Sequence, residues 1–334
     1  MRREFLRLSL AAAGYVAVAC GKKTPGDGPP AAARLRIAVI PKGTTHEFWK
    51  TVHAGAVKAS RELDVDIVWK GPLKEDDLKS QVDLVQSFMA QRVAGICLAP
   101  LNEKALVRSV EAAAGSGIPV VVFDSALASK AGVSFVATDN RAAGRLAAER
   151  MAELLGQRGK VVVLRYQEGS ASTHEREQGF IEAIQRHPGI QIISDNQYGG
   201  ATTESAFSAS ESLLLSKGAA KEGVSGVFTP NESTTFGMLL ALQKAKLVGK
   251  VRMIGFDVSE KLLAGVRAGE IDALVLQDPF NMGYLAVKAM VEHLRKKPVE
   301  PRTDTGATLL TRANLEDPKL RQLLNPELDK WLGK

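Results

Sequence analysis

From Leu35 onward the chain alternates between short apolar runs rich in β-branched residues and longer stretches with helical period. The runs LRIAVI, VDIVWK, AGICLAP, PVVVF, SFVAT, KVVVLRY, IQIIS, SGVFTP, VRMIGF and IDALVLQ read as strands. Between most of them apolar residues recur at helical spacing, as at Leu78, Val82, Val85 and Met89, or Leu146, Met151, Leu154 and Leu155. Near-continuous apolar strands alternating with amphipathic helices predict parallel sheets covered on both faces. Ten such runs exceed what one sheet of this kind comfortably holds, so the expected class is α/β with two doubly wound lobes.

The first residues do not follow this alternation. MRREFLR is a basic start and LSLAAAGYVAVA is an apolar stretch of 12 residues, too short to span a bilayer comfortably. Small residues close it before Cys20, so residues 1–19 read as an export signal peptide. VAC-G is similar to the lipobox of bacterial lipoproteins, which implies a lipid on Cys20 as membrane anchor, although Ala17 stands where that motif usually has Leu. Plain cleavage near Ala19 is the alternative. Arg2 and Arg3 fit either a twin-arginine signal or an ordinary basic start. Residues 20–33, with no apolar periodicity and repeated Pro and Gly, read as a flexible tether.

Composition and charge narrow the function classes. With 45% hydrophobic and 24% charged residues in 334, the remainder reads as a globular protein of about two domains. The formal charge of +7 becomes +5 once three Arg and one Glu leave with residues 1–19, and it is spread along the chain. Without a basic cluster interleaved with aromatics, nucleic acid is not an expected partner. Cys97 is the other cysteine, so a lipidated Cys20 leaves no intrachain disulfide, and its apolar setting suits a small buried hydrophobe. The five histidines show no metal spacing, and the phosphate-loop, dinucleotide, zincin and nucleophile-elbow motifs are absent. No cofactor, metal or catalytic residue is therefore expected, and the chain reads as a binding protein rather than an enzyme.

In open parallel sheets ligands bind outside the carboxyl ends of the strands. There the sequence places Phe48 and Trp49, Asp124, the loop leading to Arg176, Asn231, Asp257 and Gln277. Each has a plain structural alternative. Phe48 falls on a helical stripe with Val52, Ala56, Ala59 and Leu63, whereas Trp49 is offset by about 100° and suits a cleft better. Asp124, Asn231 and Asp257 could cap helices or turns, Arg176 could lie on a solvated face, and Gln277 could pair with backbone.

Taken in order, EFWKTVHAGA, GIPVVVFDS, VATDN, EREQGF, GVFTPNE, MIGFD and LVLQDPFNMG resemble the periplasmic sugar-binding proteins of the ribose-binding type, the solute receptors of ABC importers. That fold is shared with the effector domain of LacI-type repressors. The resemblance implies type I architecture, with 34–138 and 278–306 forming one lobe, 139–277 and 307–334 the other, and a three-strand hinge near Thr138, Gln277 and Gly306. It implies a monosaccharide or polyol held by Phe48, Trp49, Asp124, Arg176, Asn231, Asp257 and Gln277, with Tyr198 as an opposite ring wall. His46 and Ser125 depart from the ribose pattern, which often has Asn and Arg at those places, and the missing guanidinium beside Asp124 leaves room for a larger ligand. The implied partner is an ABC permease, the expected location the periplasm or envelope, and the expected state a monomer. Other occupants within the binding class are a signalling molecule or nucleoside, with a chemoreceptor or sensor as partner. A repressor effector domain is the remaining alternative, disfavoured because a signal and tether occupy the place of a DNA-reading helix-turn-helix.

Overall fold

The computed structural model describes residues 34–333. The readings of residues 1–33, the signal peptide, Cys20 and the tether, lie outside the described residues. The first lobe runs through β1 (Arg36–Ile40), α1 (Glu47–Leu63), β2 (Asp66–Trp69), α2 (Leu78–Ala90), β3 (Gly95–Leu98), α3 (Val107–Gly115), β4 (Val120–Phe123) and β5 (Ser134–Ala137). The second runs through α4 (Asn140–Leu154), β6 (Gly159–Arg165), α5 (Ala171–Ile184), β7 (Ile190–Tyr198), α6 (Thr203–Ser216), β8 (Gly226–Phe228), α7 (Glu232–Lys244), β9 (Arg252–Phe256), α8 (Glu260–Ala268) and β10 (Ala273–Gln277). The chain then returns to the first lobe as α9 (Pro279–Leu294) and β11 (Arg302–Asp304), and crosses again into β12 (Ala307–Leu310). Short helices α10 (Arg321–Leu324) and α11 (Leu328–Leu332) close it.

Each lobe is a six-stranded sheet, in the orders β11-β5-β4-β3-β1-β2 and β12-β10-β9-β8-β6-β7. All ten expected strands are present. The two that pattern did not reveal, β11 and β12, are short and lie at sheet edges, β12 being the single antiparallel partner. Alternation along the strands separates two cores per sheet. In the first lobe Ile37, Val39, Cys97, Val121 and Phe123 face α1 and α9, while Ala38, Ile40, Ile96, Leu98 and Val120 face α2 and α3. Cys97 is buried, as its apolar setting predicts.

Both lobes bring one helix pair together backbone to backbone. A Cβ built on Gly55 of α1 would lie 1.8 Å from the carbonyl oxygen of Phe280 in α9, and one on Gly283 would lie 2.0 Å from that of Val52. In the second lobe Gly144 of α4 and Gly179 of α5 stand in the same relation to Arg176 and Arg141, at 2.0 and 2.1 Å. Gly55→Ala is therefore expected to destabilise the fold by about 1–3 kcal/mol through overpacking, read as a lowered thermal midpoint with the ligand absent.

The chain crosses between sheets at Thr138–Asp139, at Asp278 and at Thr305–Gly306. Thr305 N donates to Ala137 O at 3.2 Å, and Asp139 N to Asp304 Oδ1 at 2.9 Å, so two of the crossings are bonded to each other. The tail divides between the lobes rather than staying on the second. Leu315, Leu320, Leu323 and Leu324 pack on the second lobe's core. Trp331 of α11 instead lies beside Phe280 at 5.9 Å and under the Arg61 guanidinium of α1 at 5.5 Å, because those side chains offer it an apolar and cationic seat.

Candidate functional site

The facing carboxyl ends of the two sheets border a small cavity of about 30 Å³ between the lobes, and a larger groove of about 610 Å³ shares Phe48, Asp257 and Gln277 with it. Eight of the residues named from the sequence line it: His46, Phe48, Trp49, Asp124, Arg176, Asn231, Asp257 and Gln277. Lys42, Glu75, Tyr166, Ser172, Thr173 and Glu232 complete the wall.

Phe48 and Trp49 open α1 with rings 4.9 Å apart at 89°, an edge-to-face pair that Phe123 extends 6.4 Å from Trp49. The choice between core and wall does not arise, since both rings are buried in the core under α1 and both also border the cavity.

Asp124 and Asp257 occupy matching places, one residue past β4 and one past β9. Both adopt the left-handed backbone, φ 61° and 66°, which is uncommon for a residue with a side chain and tolerated best by Asp and Asn. The next strand fixes each turn: Asp124 N donates to Val136 O and Asp257 N to Val275 O, both at 2.9 Å. Asp257 accepts from Glu232 N at 3.0 Å and from Gln277 Nε2 at 2.7 Å. Burial pushes its carboxyl up, opposed first by the charge of Arg176.

Arg176, only 2% exposed, is no surface residue. Its Nε donates to Asn140 Oδ1 at 2.8 Å, one Nη donates to Pro230 O at 2.9 Å, and the guanidinium lies 4.7 Å from the Phe256 ring centre. Asn231 keeps its capping role: its Oδ1 accepts from Thr234 N at 3.3 Å and Thr234 Oγ1 at 2.6 Å, while Nδ2 donates to Ser233 Oγ at 3.1 Å. Capping and lining are compatible because the helix N-terminus itself points into the cleft.

Ser125 and Tyr198 do not line the cavity. Ser125 is buried beside Asp124, where its Oγ accepts from Ser172 N across the lobes at 3.0 Å. Tyr198 ends the edge strand β7, stays 47% exposed, packs 6.0 Å from the Arg165 guanidinium and lines a neighbouring groove with Asn102 and Lys104 of the first lobe. Tyr166, 1% exposed at the end of β6, is the second-lobe ring in the cavity wall. The room expected where Ser125 replaces a guanidinium is also filled. Lys42 Nζ lies 3.1 Å from Asp124 Oδ2 and donates to Ser170 Oγ at 3.2 Å and Ser172 Oγ at 3.0 Å.

Glu75 is the most heavily bonded group that pattern reading missed. Its Oε1 accepts from Trp49 Nε1 and pairs with His46 Nδ1, both at 2.6 Å, and its Oε2 accepts from Tyr166 OH at 2.6 Å. Burial alone would lower His46, but the hydrogen bond and charge of Glu75, with Glu232 and Asp257 behind it, raise it to about 9. Burial likewise works to raise Glu75, and His46, Lys42 and Tyr166 outweigh it, leaving the carboxyl at about 2.

Carboxylates also cross the cleft mouth in both directions. His46 precedes α1 without a side-chain cap, and Glu232 of the second lobe accepts from Glu47 N at 3.4 Å and Phe48 N at 3.2 Å in its stead. In return Glu47 of the first lobe accepts from Glu260 N, the first residue of α8, at 3.1 Å. Burial pushes Glu232 up to about 7, so Lys42, His46 and Arg176 face Glu75, Asp124 and two carboxyls inclined to hold a proton. Charge in the cavity is close to balanced.

Two doubly wound lobes, a three-crossing hinge and a polar cavity walled by aromatics define a type I periplasmic binding protein fold. A model of the periplasmic binding protein domain matches residues 37–298, and the chain belongs to that family, one of substrate-binding receptors. It is 28% identical to the ribose import binding protein of Haemophilus influenzae over 272 residues, 81% of this chain and 90% of that protein. A carbohydrate transporter solute-binding protein from Agrobacterium radiobacter, solved with D-arabinose, superposes with TM-score 0.83 and 34% identity, covering 88% of this chain and 100% of the other. An ABC transporter solute-binding protein from Agrobacterium vitis with bound D-fucose gives TM-score 0.82 and 34% identity, over 86% and 99%.

Proposed function

We propose that this protein is the sugar receptor of an ABC importer, held at the envelope by a lipid on Cys20 and closing its lobes over one monosaccharide or related polyol without transforming it. The observation that carries this reading is convergence. Edge-to-face aromatics, two aspartates, an arginine and two amides from opposite lobes meet in one cavity whose charge is nearly balanced. A sugar ring presents C–H faces that pack on aromatic rings and an edge of hydroxyls, each both donor and acceptor. Carboxylates accept from those hydroxyls, Arg donates in a fork, and amides do both. Gln277 Oε1 is buried with no partner among the described residues, an acceptor of the kind a ligand hydroxyl satisfies.

Sugar named in the relatives and bound in the related structures supports the choice of ligand class. Closure then follows from contacts that exist only when the lobes meet: Lys42 on Ser170 and Ser172, Tyr166 on Glu75, and the exchanged caps of Glu47 and Glu232. A permease is the partner that reads the closed form.

Titration calorimetry of the mature chain against pentoses, hexoses and pentitols tests this directly. One member is expected to bind with a 1:1 stoichiometry and to be recovered unchanged. Failure of every sugar and polyol, with a nucleoside or another class binding instead, would overturn the reading, and chemical alteration of the ligand would overturn the claim of binding alone.

A further inference from the structure

Glu75 sits in the β2–α2 loop, 6% exposed, and none of the sequence motifs points to it. Its surroundings are fitted to it from several directions. Trp49 and His46, both from the first lobe, share Oε1. Tyr166, from the second lobe, occupies Oε2, and Gln167 Nε2 donates to the Glu75 backbone oxygen at 3.0 Å. Gly43 leaves it space: a Cβ there would lie 2.8 Å from Glu75 Cγ. A buried carboxylate with three donors on two oxygens is a charge-assisted network, strong when complete and costly when one member is lost.

All three donors belong to groups that wall the cavity, two of them from the first lobe. The indole N–H bond fixes how Trp49 is turned in its plane, and the imidazole bond fixes His46 at the mouth of α1. The third comes from the opposite lobe, so it is made only on closure. We propose that Glu75 is the positioning residue that sets ligand selectivity: one carboxylate locks Trp49 and His46 into a single wall and couples that wall to lobe closure through Tyr166. This rests on the sugar-receptor reading, because the wall it locks is the one offered to the sugar ring.

The charged groups around the pair define the measurement. His46 faces Glu75, then Glu232 at the start of α7 and Asp257 beyond β9. Glu204 at the start of α6 is a more distant neighbour. Lys42 of the β1–α1 loop faces Glu75, and Asp124 and Asp76 lie near the Tyr166 phenol. With His46 raised to about 9, its folded value exceeds the ordinary one, so the pair's contribution is complete below about pH 6.5 and lost only as pH rises through about 9. Glu75→Gln keeps the shape, removes the charge and replaces one acceptor oxygen by a donor. His46 then keeps its burial penalty without its closest anion, and its titration falls into the neutral range.

The experiment compares wild type, Glu75→Gln and the double variant Glu75→Gln with His46→Asn. Binding of D-ribose and D-arabinose, epimers at one carbon, and of the best member of the wider panel is measured by calorimetry between pH 5.5 and 8. Melting curves confirm that each variant folds. Wild type is expected to hold a constant affinity ratio between epimers across the window. Glu75→Gln is expected to narrow that ratio by about tenfold and to lose affinity with rising pH more steeply than wild type, in which Glu232 already titrates at about 7, and the double variant to return to the wild-type slope while keeping the narrowed ratio. A Glu75→Gln protein with an unchanged ratio and the wild-type pH profile would overturn the proposal. NMR titration of the His46 ring protons supplies a readout that needs no sugar: an unshifted midpoint in Glu75→Gln also overturns it. A wild type that binds nothing in the panel overturns the receptor reading, and the selectivity role with it, while the His46 midpoint still reports separately whether Glu75 holds the imidazolium.

Discussion

Asp124→Ala is expected to cost the folded protein about 3–5 kcal/mol and to abolish sugar binding measurable by calorimetry. The two effects have different origins. Lys42 and Asp124 form an ion pair at 3.1 Å with side chains only 3% and 4% exposed, so removing the carboxylate leaves a buried ammonium bonded only to serine hydroxyls, with Glu75 as a facing carboxylate it does not touch. Such a group is stabilised far less by neutral acceptors than by its counter-ion, and the cost appears as lost stability. Replacing both members, Lys42→Met with Asp124→Leu, removes the buried charges together and is expected to restore most of the denaturant midpoint while leaving binding absent. A double variant as unstable as Asp124→Ala would show that the aspartate's left-handed turn, φ 61°, and not its charge, holds the loop. Retained binding in Asp124→Ala would remove it from the site.

How much of this could be read in advance follows from range. The ten strands and most helices were legible because each carries its own pattern, and eight of the ten apolar runs serve as central strands, with β2 and β7 at edges. β11 and β12 were not, since strands of three and four residues at an edge depend on their neighbours more than on their own composition. Eight of the cavity residues were legible because they stand at strand ends, where topology and resemblance agree. Tyr198 rests on the resemblance alone, which does not say that β7 is an edge strand and that Tyr198 lies outside the cavity that the other residues line. Lys42 and Glu75 lay in loops whose positions only the folded chain decides. Both are charged residues near an apolar run, and exposure is the ordinary expectation for them. One signal was available for Glu75: the donors it satisfies, His46 and Trp49, sit together in HEFW, and a buried indole N–H needs an acceptor from somewhere.

The lobes also repeat one design at the level of physics. Each ends its fourth strand in a left-handed aspartate, packs one helix pair through glycines and sends one glutamate to cap a helix of the other lobe. Because the caps are exchanged, opening the cleft exposes two helix N-termini at once, and closing it buries Glu232, whose carboxyl is pushed up to about 7. The closed form thus depends on both lobes even before a sugar is considered, and the ligand need supply only the remaining difference between states.

Arg176 lines the cavity from the second lobe, and Arg176→Ala is expected to weaken sugar binding by about 2–5 kcal/mol. The guanidinium joins Asn140 of α4, the Pro230 carbonyl before α7 and the face of Phe256 on β9, so three elements lose a common donor. It is also the leading influence holding down Asp257, which burial otherwise pushes up. The sign of the pH effect follows. A carboxyl whose folded value is raised favours folding when protonated, so its stability contribution is greatest below the ordinary carboxylate range and declines as pH rises through the folded value. Removing Arg176 enlarges the upward shift, and the variant is therefore expected to lose stability more steeply than wild type as pH rises above the ordinary carboxylate range, with Glu177, raised to about 7 and also held down in part by Arg176, adding to the slope. Asp257→Asn in the same background should reduce that slope without restoring binding. Arg176→Lys separates charge from geometry: a lysine returns the positive charge but not the planar fork, so the pH slope should recover while most of the affinity does not. Calorimetry and melting curves across that range decide it, and an Arg176→Lys protein with wild-type affinity would show that only charge is required there.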